Sequence, residues 1–401
     1  MSYSTVDVDL TRGGVAGSHF EEIDKLREST PAFWNESGRG YWALTRFDDV
    51  RDAFQSPALL SNDSIVVTEP NPPFRMIPSN AGPPEHMLYR QTMNAWFAPA
   101  AVAKHEPFLR QTANDLIDEL IGEGGCEFMS RYGTLFPARA LVAMMGLPQS
   151  ETPVLVEMTG RITGSVGATD ADARARAAGA LDAIRGYFAE LVRHRRSTPA
   201  DPQLHFVSHL LQVGFADRHL LDDEILDICM TLVLGGLRTT RSQMGWCMYH
   251  LATNPIDRQR VIDDPFLIRL AIEEFLRAYP IVNVARKVVS DVDFHGCPMK
   301  EGQMVLMFVQ SANRDPLVFD RADEVVIDRR PNRHIAFGAS AHRCLGSHLA
   351  RAELEITLEE WHRRIPSYRL GTTDTLQASG GHIALLELPL TWTVDGTGSA
   401  K

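Results

Sequence analysis

No stretch of eighteen uninterrupted apolar residues occurs in the 401-residue chain, so no segment reads as a membrane-spanning helix. Its first residues, MSYSTVDVDLTRGG, lack the basic start and apolar run of a secretory signal, and a cytoplasmic location is expected. The five cysteines, at positions 126, 229, 247, 297 and 344, lack the close paired spacing of zinc or disulfide frameworks. Taken singly, each reads as a small buried hydrophobe. Basic residues are outnumbered, 40 against 51 acids, and the net charge of −11 opposes nucleic acid or an anionic membrane as main partner. A small soluble ligand is expected instead. Internal repeats and low-complexity tracts are missing too, and the proline-rich stretch 68–84 is the only extended irregular piece, a candidate substrate loop.

What is present is material for a large core, since 44% of the residues are apolar. Apolar residues at three-and-four spacing predict helices over 85–97, 106–121, 170–195, 222–252, 266–278 and 347–363. Short strand-like pieces, bounded by turn residues, fall at 40–45, 286–289, 292–294, 304–307 and 383–388. The fold class is mainly α with a small β part. The helix over 222–252 is about 45 Å long at 1.5 Å per residue, enough to cross a whole domain. It contains Gly235 and Gly236, which disfavour a helix interior by about 1 kcal/mol each. Either another helix crosses tightly there or a ligand approaches the backbone.

The segment 334–355, HIAFGASAHRCLGSHLARAELE, sets Cys344 between glycines 338 and 346 at the mouth of a helix. Glycines let backbone pass close to a flat ligand, and amide N–H groups aimed at a thiolate lower its pKa and tune its donation to a metal. The run resembles the haem-thiolate loop of the cytochrome P-450 family, with Phe337, Gly338, His342, Cys344 and Gly346 on the motif and Leu-Ala-Arg after it. It departs at Ser340, which replaces the motif's second glycine and leaves open how the turn is made if it needs positive φ.

The resemblance implies a single domain over 1–401, with about 1–18 flexible, and haem b (iron protoporphyrin IX) held by the Cys344 thiolate. Glu274 and Arg277 match the family's Glu-x-x-Arg pair, and Arg329 its third member, a structural triad. Exposed, such a pair contributes only about 0.2–0.5 kcal/mol, whereas a buried carboxylate joined by a second guanidinium can pin the segment leading to the cysteine. His86 and Arg90, at i and i+4, together with Arg286 and His342, match contacts to the haem propionates. Taken singly, a solvated charge or a satisfied core histidine is the commoner fate of each.

A thiolate-held haem iron favours O–O cleavage. The family's oxygen-side helix corresponds here to LGGLRTT, placing Gly235, Gly236 and Thr239 in the site, with Thr239 assisting oxygen activation. Arg238 stands where the family carries an acid, and a guanidinium cannot relay a proton at neutral pH. Three readings of Arg238 are open: an ion pair with an acid on the covering helices, an anchor for a substrate carboxylate, or the marker of peroxide-driven turnover.

The implied activity is oxidation of a small, largely apolar molecule with O2. Peroxygenase or oxidative coupling chemistry is the alternative, and a haem sensor or carrier is the reading from another class. Electrons would come from a ferredoxin and its reductase, docked on a basic patch for which Arg330, Arg333 and Arg343 are candidates. The family layout places Ile65, Val66, Val67, Leu232, Val233, Ile281, Val282 and Ile383 around an apolar substrate pocket.

Overall fold

The computed structural model describes residues 3–10, 12–72, 74–163 and 171–394. The helix Asp222–Thr253 runs through its middle, and most of its side chains are buried. Its start is fixed by Glu224, whose carboxylate accepts the Leu221 amide at 2.7 Å and so satisfies one of the helix's free N-terminal donors. Burial alone would raise the pKa of Glu224, but Arg218, that amide and the Tyr89 hydroxyl together bring it down to about 2.

Helices Leu135–Met144, Thr152–Thr163, Ala171–Ser197, Leu267–Ala278 and Ser347–Arg364 pack against this central helix. Residue 170, expected to open the third of these, lies outside the described residues. The predicted helix 85–97 is found as Glu85–Phe97, and the predicted 106–121 is found as the second half of Pro99–Asp118, ending three residues early. Leu135–Met144 escapes a periodicity search because LFPARALVAM is buried nearly all round and shows no polar stripe.

One six-stranded sheet lies to the side, in the order Ser4–Val6, Ala32–Asn35, Tyr41–Leu44, Met304–Met307, Val284–Val288, Leu60–Ser61. Three expected strands therefore become neighbours, with Val305 opposite both Trp42 and Arg286. The predicted strand 292–294 pairs with Cys297–Met299 in a separate hairpin.

Where it is described, the N-terminal segment is paired: Ser4–Val6 runs parallel to Ala32–Asn35, and Gly14–Val15 pairs with Gln377–Ala378. The Asn35 side chain also clamps both backbone groups of Val8, a tether that composition cannot reveal. Residues 1, 2 and 11 of that segment lie outside the described residues. The run 383–388 is irregular rather than a strand; Leu385 makes one bridge to Ala378, and the strand begins at Pro389–Trp392. Its apolar alternation arises because Ile383, Leu385 and Leu388 drop into the core while the Ser379 hydroxyl and Glu127 carboxylate take its amides.

Candidate active site

The loop before the helix Ser347–Arg364 is built by two residues with positive φ, Gly338 at 71° and Ser340 at 63°. Ser340 thus adopts the left-handed conformation a glycine would supply, at some cost in strain, and the turn is kept. A Cβ on Gly338 would come within 3.4 Å of the Phe54 ring. The Cys344 amide donates to the Phe337 carbonyl at 2.8 Å, closing the loop on itself.

Cys344 is exposed to solvent-sized contact, yet burial is the leading cause raising its thiol pKa. Both hold together only if the sulfur faces a recess enclosed by protein. The Gly346 amide and the charges of Arg90, Arg343 and Arg351 oppose that rise and favour a thiolate. Gly346 also sits at the N-cap of the following helix, whose dipole acts in the same direction.

The loop is held from behind by a buried polar network on the helix Leu267–Ala278. Glu274 receives Arg277 through Nε and Nη2, both at 2.8 Å, and Arg329 Nε at 2.9 Å. The Val326 amide at 2.7 Å and Asn332 Nδ2 at 3.1 Å complete its shell. Glu274 and Arg277 are both fully buried. The remaining donors of Arg277 go to the carbonyls of Asn313, Ala322 and Glu324. One residue earlier, Glu273 binds Arg351 in a fork and His334 at 2.9 Å, and Arg351 lies over the Phe337 ring at 4.5 Å. Sequence reasoning missed Asn332, Val326 and Glu273, the first two because their contributions depend on how the chain returns.

His86 and His342 stack with ring centroids 3.7 Å apart. Burial, with Arg90 and Arg286 nearby, pushes His86 down to about 4; burial, His86 and the same arginines push His342 to about 3. Arg286 is buried in its strand over the Phe54 ring, and burial lowers it to about 10. Arg90 reaches the Arg343 carbonyl at 3.0 Å. No carboxylate bonds any of these four among the described residues, and His342 Nε2 is buried without a partner. Clustered donors of one sign suit an anionic group with several oxygens.

On the central helix, Gly235 is exposed although the turns around it are buried, and a Cβ there would meet nothing within 4 Å. Gly236 has only Leu141 nearby, at 3.8 Å. A tight helix crossing does not explain the pair. Thr239 donates its hydroxyl to the Gly235 carbonyl at 2.5 Å. Beneath the next residue lies Glu353, 2% exposed, which burial pushes up to about 8 with Thr240 as its hydrogen-bond partner. This acid was not singled out from the sequence, where it reads as part of an ordinary charged helix. A thiol in a recess, a cationic cluster and a glycine that keeps space open together fit an iron porphyrin with two carboxylates.

Arg238 makes no ion pair among the described residues, so the expected partner on the covering helices is not found there. Among the residues expected to line a pocket, Ile65 accepts the Ala285 amide at 2.9 Å and Ile281 accepts that of Ile383 at 3.0 Å, bringing three distant loops together. Leu232, Val67 and Val282 are partly buried beside them or on the helix, and Val66 is 46% exposed. Val233 and Ile383 are fully buried in core clusters. Arg330, Arg333 and Arg343 are exposed and form no ion pairs among the described residues.

Comparison with known proteins agrees with this geometry. The family model described as Cytochrome P450 matches residues 170–264 and 265–363. A probable cytochrome P450 127A1 of Sinorhizobium fredii is 31% identical over 91% of this chain and 87% of its own length. The mycinamicin IV hydroxylase/epoxidase of Micromonospora griseorubida is 30% identical over 96% of both chains. The crystal structure of CYP101J2 superposes with a TM-score of 0.87 at 27% identity, covering 97% of each chain. No described helix is long and apolar enough to cross a membrane. The chain belongs to the cytochrome P450 family and is a haem-thiolate monooxygenase, its cofactor haem b with a cysteine as axial ligand.

Proposed function

We propose that the protein inserts one atom of O2 into a small, largely apolar molecule while the other leaves as water, with Cys344 as the axial ligand. The observation that carries this reading is Cys344 itself, open to a recess while wrapped in protein. Bound haem supplies an electron-rich iron that favours O–O cleavage. The Gly346 amide and the charges of Arg90, Arg343 and Arg351 oppose the burial that raises the Cys344 thiol, and so favour its use as a thiolate ligand. His86, Arg90, Arg286 and His342 hold the propionates, which removes the cost of their crowded positive charge.

Thr239 turns its hydroxyl from the Gly235 carbonyl to hold a water beside the reacting oxygen. Arg238 cannot pass a proton on, so delivery runs through Thr239 and ordered water, and Arg238 anchors a carboxylate of the substrate. Ile65, Val67, Leu232, Ile281 and Val282 supply an apolar wall that excludes bulk water. A ferredoxin, reduced by its reductase, docks on Arg330, Arg333 and Arg343. Peroxide-driven turnover is a second reading, favoured by the unpaired Arg238.

The test is the carbon monoxide complex of the reduced protein, expected to carry the red-shifted band of thiolate ligation and to lose it in Cys344→Ser. NADH consumption with a surrogate ferredoxin, coupled to product, supports the monooxygenase. Product formed with peroxide alone, and none with O2 and ferredoxin, selects the second reading.

A further inference from the structure

The segment that carries Ile281 and Val282 of the proposed wall meets the loop 379–384 without a strand between them. Ile281, Val282 and Asn283 precede the strand Val284–Val288, and the loop follows Gln377–Ala378. Among the described residues one main-chain hydrogen bond joins the two, from the Ile383 amide to the Ile281 carbonyl at 3.0 Å. The loop is also tied to the central helix, through His382 Nε2, 3.0 Å from Ser242 Oγ, and through Trp246 Nε1, which donates to the Ile383 carbonyl at 3.2 Å. A single main-chain bond fixes a point of contact between two segments and leaves their angle open.

The second tie is a side chain. Gln310, 1% exposed on the short helix Val309–Ala312, donates Nε2 to the Ile281 carbonyl at 3.3 Å and to the Gly381 carbonyl at 3.2 Å. Both hydrogens of its amide are thereby spent on backbone. Its Oε1 accepts Asn283 Nδ2 at 2.8 Å, and Asn283 Oδ1 accepts the Gln310 main-chain amide at 3.1 Å. The direction of every bond follows from that main-chain N–H, which can only donate. It turns Asn283 Oδ1 towards itself, Asn283 Nδ2 then meets Gln310 Oε1, and Nε2 is left facing the two carbonyls. His19 is a further partner of the Gln310 side chain. Two residues beyond Asn283, the Ala285 amide holds the Ile65 carbonyl at 2.9 Å, so Ile65, Ile281 and Val282 all hang from the piece of chain that Gln310 clasps.

We propose that Gln310, oriented by Asn283, is a positioning residue that holds the wall of Ile65, Ile281 and Val282 against the loop 379–384 and so sets the breadth of the molecule admitted to the site. The proposal rests on the monooxygenase reading and deepens it, since it names a group behind the wall that selects substrate by size. A methionine at position 310 keeps the length of the side chain and leaves both carbonyls buried without this donor. The two segments then relax about the remaining bond between Ile383 and Ile281, and broad molecules gain over narrow ones.

The test uses the haem-loaded protein and spectral titration with imidazole, a narrow ligand of haem iron, and 4-phenylimidazole, a broad one. Gln310→Met is expected to raise the affinity for 4-phenylimidazole relative to imidazole by about fivefold or more, and Asn283→Ala to raise it by a smaller factor. The double variant is expected to give no more than Gln310→Met alone, because Asn283 acts through Gln310. Asn35→Ala cuts a buried amide clamp of the same kind at Val8, and is expected to lower the melting temperature without moving the ratio. An unchanged or lowered ratio in Gln310→Met, additive effects in the double variant, or an equal shift in Asn35→Ala overturns the proposal. Should Gln310→Met not fold, the ratio in Asn283→Ala decides in the same way. The carbon monoxide band of the same samples reports on thiolate ligation, so failure of the haem reading and failure of the clasp are separate results.

Discussion

Glu353 is a carboxyl enclosed by the helix that follows the cysteine loop, with Thr240 as its hydrogen-bond partner. Its folded pKa of about 8 exceeds the ordinary 4.5, so the native state keeps a proton that the unfolded chain releases. Stability from this group therefore falls as pH rises from about 4.5 to 8, by a total on the order of 5 kcal/mol. Glu353→Gln is expected to be nearly neutral at pH 5 and to raise the melting temperature at pH 8; an equal effect at both pH values would show the carboxyl ionised throughout. Gly235→Ala separates packing from function at the same scale. Its Cβ meets nothing, so the helix should gain about 1 kcal/mol, while the spectral response to ligands weakens. Chemical denaturation and ligand titration of the same sample measure the two effects.

Among the elements, the helix Leu267–Ala278 does most to place the cysteine loop. Replacing Arg329 by Leu leaves Glu274 with one guanidinium and opens a buried charge, expected to cost about 3–5 kcal/mol and to lower haem content in proportion. Unchanged denaturation midpoints would place this network outside the stability of the fold. The same elements show what the sequence could and could not disclose. The helix Glu85–Phe97 and the long central helix were legible because each carries a regular apolar spacing. The helix Leu135–Met144 and the loop 383–388 were not, since burial on all sides erases one pattern and core anchors imitate another. The cysteine loop was legible from its spacing, whereas the way Ser340 makes the turn, by taking positive φ, was not. The contact of His382 with Ser242 was not, because it joins residues 140 positions apart.

For the molecule as a whole, the proposed acidic ferredoxin would be repelled at long range by the net charge of −11, so its docking would depend on local arginines. Arg333→Glu is expected to raise the KM for ferredoxin by fivefold or more with little change in reduction by dithionite. Reduction by ferredoxin should also slow as ionic strength rises through the range where the Debye length falls below about 8 Å. A salt-independent rate would place the docking surface elsewhere.

The sheet order carries a consequence for how the protein is made. Tyr41–Leu44 emerges early from the ribosome, yet one of its neighbours, Met304–Met307, is translated far later. Until that segment arrives, Trp42 has no partner at Val305, and one edge of the nascent hairpin stays open to pairing with other chains. Slower synthesis or a holding chaperone during overexpression should therefore improve the soluble yield more than any change to the site.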